Sequence, residues 1–338
     1  LGYPVYSRDN WMRTGKDRVQ VEAMGCPVKA SMETVHLGEV LDGVPVYFDK
    51  IAYTEADIVI PVGRVKPHTA FRGPVESGLM KMLAIGLGKQ KGADYFHSRG
   101  FPEFDRLIPA VGQFTLTRVN IPFGIALIEN GHSRMTMIEA VPAAKFWTRE
   151  QELLKIAFGK MPKLPGQQID ILIIDEIGKD ISGDGADPNV VNRDCTGFLA
   201  RSEVPVRPIV DRVIVRDLTE NTEGNATGIG MADFLLKRAV DKVDPVKTYM
   251  NLITSKSPQG GRLAIGLDND RQALYLAIAS ALNITTEEAK IVRIESSKHV
   301  EEMWVSEPML PQLSGDDRFE VIGDLHPIPF DPTGMFAE

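Results

Sequence analysis

Residues 57–97 read DIVIPVGRVKPHTAFRGPVESGLMKMLAIGLGKQKGADYFH. The opening run, Asp57 to Val62, is apolar and β-branched and reads as a strand, while the apolar spacing of Leu79 to Ile85 reads as a helix. A strand passing to a helix through a long loop is a unit of α/β folds, and the loop beyond such a strand end is where they build sites. From Gly63 to His97 the stretch holds two of the six histidines, with six glycines and six basic side chains. A plain connector needs none of these.

The pattern continues on both sides. Val44 to Phe48, Phe123 to Ile128 and Met135 to Val141 read as strands, and Ala93 to Ser98 and Phe104 to Val111 as amphipathic helices. Thr148, with Gln151 at the capping-box position, starts another helix. Gly159 to Gln168, carrying Pro162, Pro165 and two glycines, interrupts both periodicities and reads as a linker about which two domains could rotate. Beyond it, Ile169 to Ile174, Arg212 to Val215 and Ile291 to Ile294 read as buried parallel strands, and Gly230 to Val240, Pro245 to Thr254 and Asp270 to Leu282 as helices. The expectation is two mixed α/β domains, residues 1–160 and 161–338, with a ligand cleft between them and the second Rossmann-like. There is no internal repeat.

Composition narrows the function. The 338 residues are 43% hydrophobic and 25% charged, as in globular proteins, which excludes a disordered or fibrous chain. A net charge of −8 repels phosphate backbones and anionic bilayers, so neither nucleic-acid nor membrane partners are expected. The longest apolar stretch, Ala273 to Leu282, is about half of the roughly 20 residues a spanning helix needs. Two cysteines, Cys26 and Cys195, make no disulfide framework or zinc ribbon and fit the cytoplasm. Leu1 to Trp11 has no leader pattern, and a start at Leu rather than Met suggests a missing N-terminus.

Several motifs can be tested on spacing alone. Gly88-Lys89 lacks the upstream glycine and the following hydroxyl of a phosphate-binding P-loop, and Gly86, Gly88 and Gly92 are misspaced for a dinucleotide fingerprint. Lys81 and His97, sixteen positions apart, would point about 160° from each other on one unbroken helix. Glycines 86 and 88 can break that helix and let the two side chains converge. His68 sits in a loop, where an imidazole suits proton abstraction or merely a hydrogen bond. Ser77 and Gly78 precede the first helix and offer either a phosphate seat, with Lys81 one turn on, or an ordinary cap. In the second half, Gly178 to Asn189 follows a strand and offers Lys179 and Asp180, but Asp180, Asp184 and Asp187 lack calcium-loop spacing. Gly224 to Gly230 reads either as an anion nest or as tight packing.

KPHT at 66–69, ESGL at 76–79, KM at 81–82, IGLGK at 85–89 and GA at 92–93, with SGDGADPNV at 182–190 and GNATGIG at 224–230, resemble the nickel-pincer racemase and epimerase superfamily, lactate racemase-like. The resemblance runs over most of residues 22–310. It implies an isomerase acting on a small 2-hydroxy acid, by hydride transfer to a nickel-bearing pyridinium mononucleotide that separate cofactor-making enzymes supply. It assigns Lys81 to covalent cofactor attachment, His97 to nickel coordination and His68 to exchange of the hydroxyl proton. Ser77 and Gly78 join the cofactor-binding set. By position and charge, Arg64, Lys66 and Arg72 are candidates for the substrate carboxylate and Lys179 for a catalytic group from the second domain. Members carry a further histidine upstream, and Leu1 to Gln20 contains none, so a non-catalytic binder of a phosphorylated small molecule or nucleotide is the alternative. A nicotinamide-dependent oxidoreductase is a weaker third reading, unsupported by the glycine spacing.

Overall fold

The computed structural model describes residues 29, 31–41, 43–195, 207–282 and 284–337. The stretches read for a leader (Leu1 to Trp11) and for an upstream histidine (Leu1 to Gln20), and Cys26, lie outside them. The chain divides into two units, residues 1–160 and 161–338. The architecture is mixed α/β in both.

The first unit opens with an antiparallel hairpin, β1 (Thr34–Val40) and β2 (Val44–Asp49), followed by α1 (Lys50–Glu55). Asp49 caps α1 by accepting the Ala52 amide at 3.0 Å. A second sheet has the order β3 (Val62–Arg64), β4 (Phe123–Glu129), β5 (Met135–Pro142), with β3 parallel and β5 antiparallel to β4. Residues 57–61 are not strand. Only Val62–Arg64 enters the ladder, beside Ile125–Leu127, so the apolar run read as a strand is mostly its lead-in.

Between β3 and β4 come α2 (Leu79–Lys81), which widens into a π-turn over Met82–Gly86, α3 (Lys89–Arg99) and α4 (Phe104–Arg118). The widening shows in Leu87, whose amide donates to the Met82 carbonyl at 2.7 Å. Reversal of the chain is completed by Lys89, at φ +54°, rather than by a left-handed glycine. Its buried ammonium pairs with Asp49 at 2.5 Å, the same carboxylate that caps α1. The lysine of the failed P-loop is therefore structural. The unit closes with α5 (Phe146–Gly159), which starts two residues before Thr148. Gln151 bonds to the Trp147 carbonyl instead of forming a capping box.

The second unit is built on the sheet order β11 (Trp304–Val305), β10 (Ile291–Ile294), β6 (Gln168–Ile177), β7 (Ile209–Leu218), β8 (Phe234–Leu236), β9 (Gly266–Leu267). Strands β10, β6, β7, β8 and β9 are mutually parallel and β11 is antiparallel at the edge. The order turns back at β6, as in doubly wound folds. One face of β6 and β7 packs Leu172, Ile174, Val213 and Val215, and the other packs Ile171, Ile173 and Ile214 against α7 (Asp270–Ser280). Burial on both faces explains the unbroken apolar runs. The helix expected over Gly230 to Val240 is instead a short turn, then β8, then α6 (Lys237–Asp241), because Phe234 and Leu235 pair with Ile214 and Val215. No described helix is long and apolar enough to cross a membrane.

Candidate functional site

The loop between β3 and α2 is pinched shut by a two-way backbone pair, Lys66 with Ser77, at 3.1 and 3.2 Å. Glu76 points into it, 1% exposed, and holds it from inside. Its Oε2 accepts the His68 amide at 2.6 Å and the Arg72 guanidinium at 3.4 Å, and its Oε1 takes the Gly73 amide at 3.4 Å. Burial pushes this carboxyl up to about 7, with Arg72 and the two amides pulling back. Arg72 also donates to the His68 and Phe71 carbonyls at 2.7 and 3.0 Å, so much of its guanidinium serves the loop rather than an open carboxylate seat.

His68 rides on this loop against Phe71, with ring centroids 4.5 Å apart. Burial lowers its pKa well below the ordinary imidazole range, helped by the charges of Lys81, Lys66, Arg72 and His97. The ring is thus neutral near pH 7. Its Nδ1 accepts the Ala70 amide at 3.0 Å, which leaves the proton of the neutral ring on Nε2. In this arrangement His68 offers a donor. The proton abstraction expected of it would require Nδ1 to give up Ala70.

His97 lies in the last turn of α3, where Gly100, at φ +84°, ends the helix and sends the chain back through Phe101 to α4. Phe101 and Phe104 thereby form a wall behind it, at 5.7 and 5.6 Å. The His68 ring meets the same Phe101 at 5.7 Å. Lys81 ends α2, its charge felt at His68. Burial pushes its ammonium down to about 7, Lys66 adds to that and Glu76 opposes it. Among the described residues Lys81 has no hydrogen bond or ion pair at contact distance. The two-helix reversal thus brings Lys81, His68 and His97 to one cationic, aromatic-walled place.

Other expected residues lie differently. Ser77 does not cap α2; Gly78 stands at that position without a side-chain bond. The phosphate seat read at Ser77 and Gly78 is filled from within. Glu150 of α5, 1% exposed, accepts the Met80 amide at 2.9 Å and bonds the Leu79 amide. A Cβ on Gly78 would sit 2.5 Å from Glu150 Oε1. Arg64 pairs with Glu129 on the adjacent strand at 2.9 Å, while Lys66 remains exposed.

In the second unit, the Lys179 ammonium donates to the Gly183 carbonyl of its own loop at 2.6 Å, and Asp180 accepts the Thr219 hydroxyl at 2.6 Å. The segment 224–230 is packing rather than an anion nest. The amides of Ala226, Thr227, Gly228 and Ile229 are all taken internally, and a Cβ on Gly228 would lie 1.8 Å from the Asp184 carbonyl oxygen.

Sequence reasoning missed Glu76, Glu150, Phe101 and Phe104. Glu76 stands inside the ESGL motif. Phe101 and Phe104 follow His97 at four and seven positions, a helical spacing that could have signalled a shared face.

Among the described residues no group of three or more His, Cys, Asp or Glu could hold a metal ion. The side chains here that could hold a bound group are the Lys81 amine and the His97 imidazole, while the amides of Leu79 and Met80 that follow Ser77 and Gly78 are already taken by Glu150. No family model matches the chain, and no curated protein matches it. Solved structures similar in part include the following two. The lactate racemase apoprotein from Thermoanaerobacterium thermosaccharolyticum matches over 79% of this chain and 67% of its own, at 13% identity and a TM-score of 0.41. A structural-genomics protein from Thermotoga maritima matches over 72% of this chain and 61% of its own, at 10% identity and a TM-score of 0.37.

Proposed function

We propose that the chain is a racemase or epimerase of a 2-hydroxy acid, acting by hydride transfer to a nickel-pincer nucleotide held in its first unit. The observation that carries this reading is the meeting of an unengaged amine, Lys81, with the imidazoles of His68 and His97 in one cationic site. Lys81 would hold the nucleotide through Nζ, and His97 would add a nitrogen donor to its nickel. When bound, the nucleotide supplies a carbon that takes up and returns the C2 hydride.

The remaining work falls to the chain. Lys66, exposed and cationic, attracts the substrate carboxylate, and the positive field it shares with Lys81 and Arg72 favours an anionic substrate. As the hydride leaves C2 the hydroxyl proton must pass to a base: His68 would take it on Nε2 once its ring proton shifts to Nδ1 and the Ala70 amide is released, and would return it from Nε2–H to the C2 oxygen. Glu76 keeps His68 in place by gripping its amide. Phe101 and Phe104 limit water around the reacting carbon.

The test is protein coproduced with the cofactor-making enzymes, examined by intact mass and nickel content. An adduct that disappears in Lys81→Ala is expected, and an unchanged adduct would reject the assignment. Turnover in D2O adds a second check. Internal hydride return keeps the substrate C2 hydrogen, whereas deuterium appearing at C2 would overturn the hydride reading.

A further inference from the structure

We propose that the outer face of the sheet formed by β3, β4 and β5 is a docking surface for a second copy of this chain. Two glycines fix which face that is. A Cβ on Gly63 would lie 3.0 Å from the Gly78 carbonyl oxygen, and one on Gly124 would lie 2.8 Å from the Phe146 ring, so both positions point inward to α2 and α5. Side chains alternate along a strand, so Val62, Arg64, Ile125, Leu127 and Glu129 point outward. The register carries that face onto β5, where Ile138 lies beside Leu127. A sheet face left to water ordinarily carries polar side chains. This one is aliphatic: Val62 is 49% and Ile138 68% exposed, and Ile60, in the lead-in to β3, is 40% exposed.

Charge selects the occupant. Among the outward positions of these strands only Arg64 and Glu129 are charged, and they pair with each other at 2.9 Å. A face with one cation beside one anion complements itself. A two-fold axis lying between the sheets and crossing the line from Arg64 to Glu129 sets each copy's Arg64 opposite the other's Glu129. A strongly basic or acidic partner finds no matching field there, and the net charge of −8 repels an acidic one. The five part-exposed aliphatic side chains offer on the order of 300 Å² of apolar area per copy, at roughly 60–120 Å² for a whole side chain. Since a little over half of an interface is apolar, that corresponds to roughly 1,000 Å² in all, the lower limit for specific pairing. The dimer is therefore weak and concentration-dependent.

Sedimentation velocity of the full chain over a micromolar-to-millimolar series is the test. Monomer should pass to dimer as concentration rises, and Ile138→Lys should weaken the dimer about tenfold or more with an unchanged melting temperature. Arg64→Glu and Glu129→Arg should each dimerise poorly alone and well when mixed, because only the mixture sets opposite charges across the axis. A thiol introduced by Ile138→Cys should react with a maleimide in dilute protein and be protected in concentrated protein, as peptide mapping reads. A chain that stays monomeric throughout would overturn the proposal. So would a dimer indifferent to Ile138→Lys or to mixing of the charge variants. A thiol at 138 protected even in the monomer would show that the chain covers this face itself, and would overturn it equally.

Discussion

Replacing Glu150 should have opposite effects depending on what replaces it and at which pH. This carboxyl is 1% exposed, one oxygen receives the Met80 amide, and the other, Oε1, is buried without a hydrogen-bond partner. Burial raises its pKa from 4.5 to about 7, the amide bonds of Met80 and Leu79 opposing. An acid whose folded pKa lies above its unfolded one stabilises the fold fully below the unfolded value, and that contribution is lost as pH rises through the folded one. Here the loss starts near pH 4.5 and is complete above about 7. At about 1.4 kcal/mol per tenfold change, it amounts to about 3 kcal/mol.

Gln at this position keeps an acceptor for the α2 amides and cannot ionise. Glu150→Gln should therefore match the parent at pH 5 to within about 1 kcal/mol and exceed it at pH 8 by up to about 3 kcal/mol. Glu150→Ala removes the acceptor and leaves a void. It should be less stable at both pH values, by about 1–3 kcal/mol for each stranded amide, with a cavity cost in addition. Urea unfolding of the three proteins in parallel, at pH 5 and pH 8, measures both differences. Glu76 titrates in the same direction and cancels in the comparison. A Gln variant as unstable as the Ala variant at pH 8 would show that the fold requires the charge, and the reasoning would fail.

Gly78→Ala should push a methyl against Glu150 Oε1 and cost about 1–3 kcal/mol, read by the same unfolding assay; a neutral outcome would mean that Glu150 is not packed there. Nitrogen NMR of His68 should find Nδ1 unprotonated and Nε2 protonated at pH 7, with both protonated only well below the usual imidazole range; a proton on Nδ1 at pH 7 would restore the base role. Asp49→Asn strands the buried Lys89 ammonium and should cost about 3–5 kcal/mol, with Lys89→Met in the same background recovering part of it.

Much of the second unit was legible because its strands are buried on both faces. Ile291–Ile294 and Pro245–Thr254 begin and end where the apolar pattern and a proline place them. The pattern failed where tertiary pairing decided the state. Phe234–Leu236 sits among helix-like spacing, yet a place beside Ile214 and Val215 makes it strand. Likewise 57–61 has strand composition but joins no ladder, its bonds being to Asn120 and, at Pro61, to the Ile125 amide.

At the candidate site, the sequence located the side chains but not what holds them. The glycines at 86 and 88 signalled that the helix must break, while the left-handed conformation fell to Lys89, stabilised by a carboxylate forty positions upstream. Spacing cannot reveal such a pairing. Nor could it reveal that the amides starting α2 are claimed by Glu150, seventy-two positions beyond Gly78, since a free helix start and a filled one have the same local sequence. The chemistry of His68 turns on a detail of the same kind. Histidine in a loop is compatible with base or donor, and the choice is made by which nitrogen the Ala70 amide occupies. A backbone contact two residues away, set by the loop that Glu76 closes, thereby decides which way a proton can move.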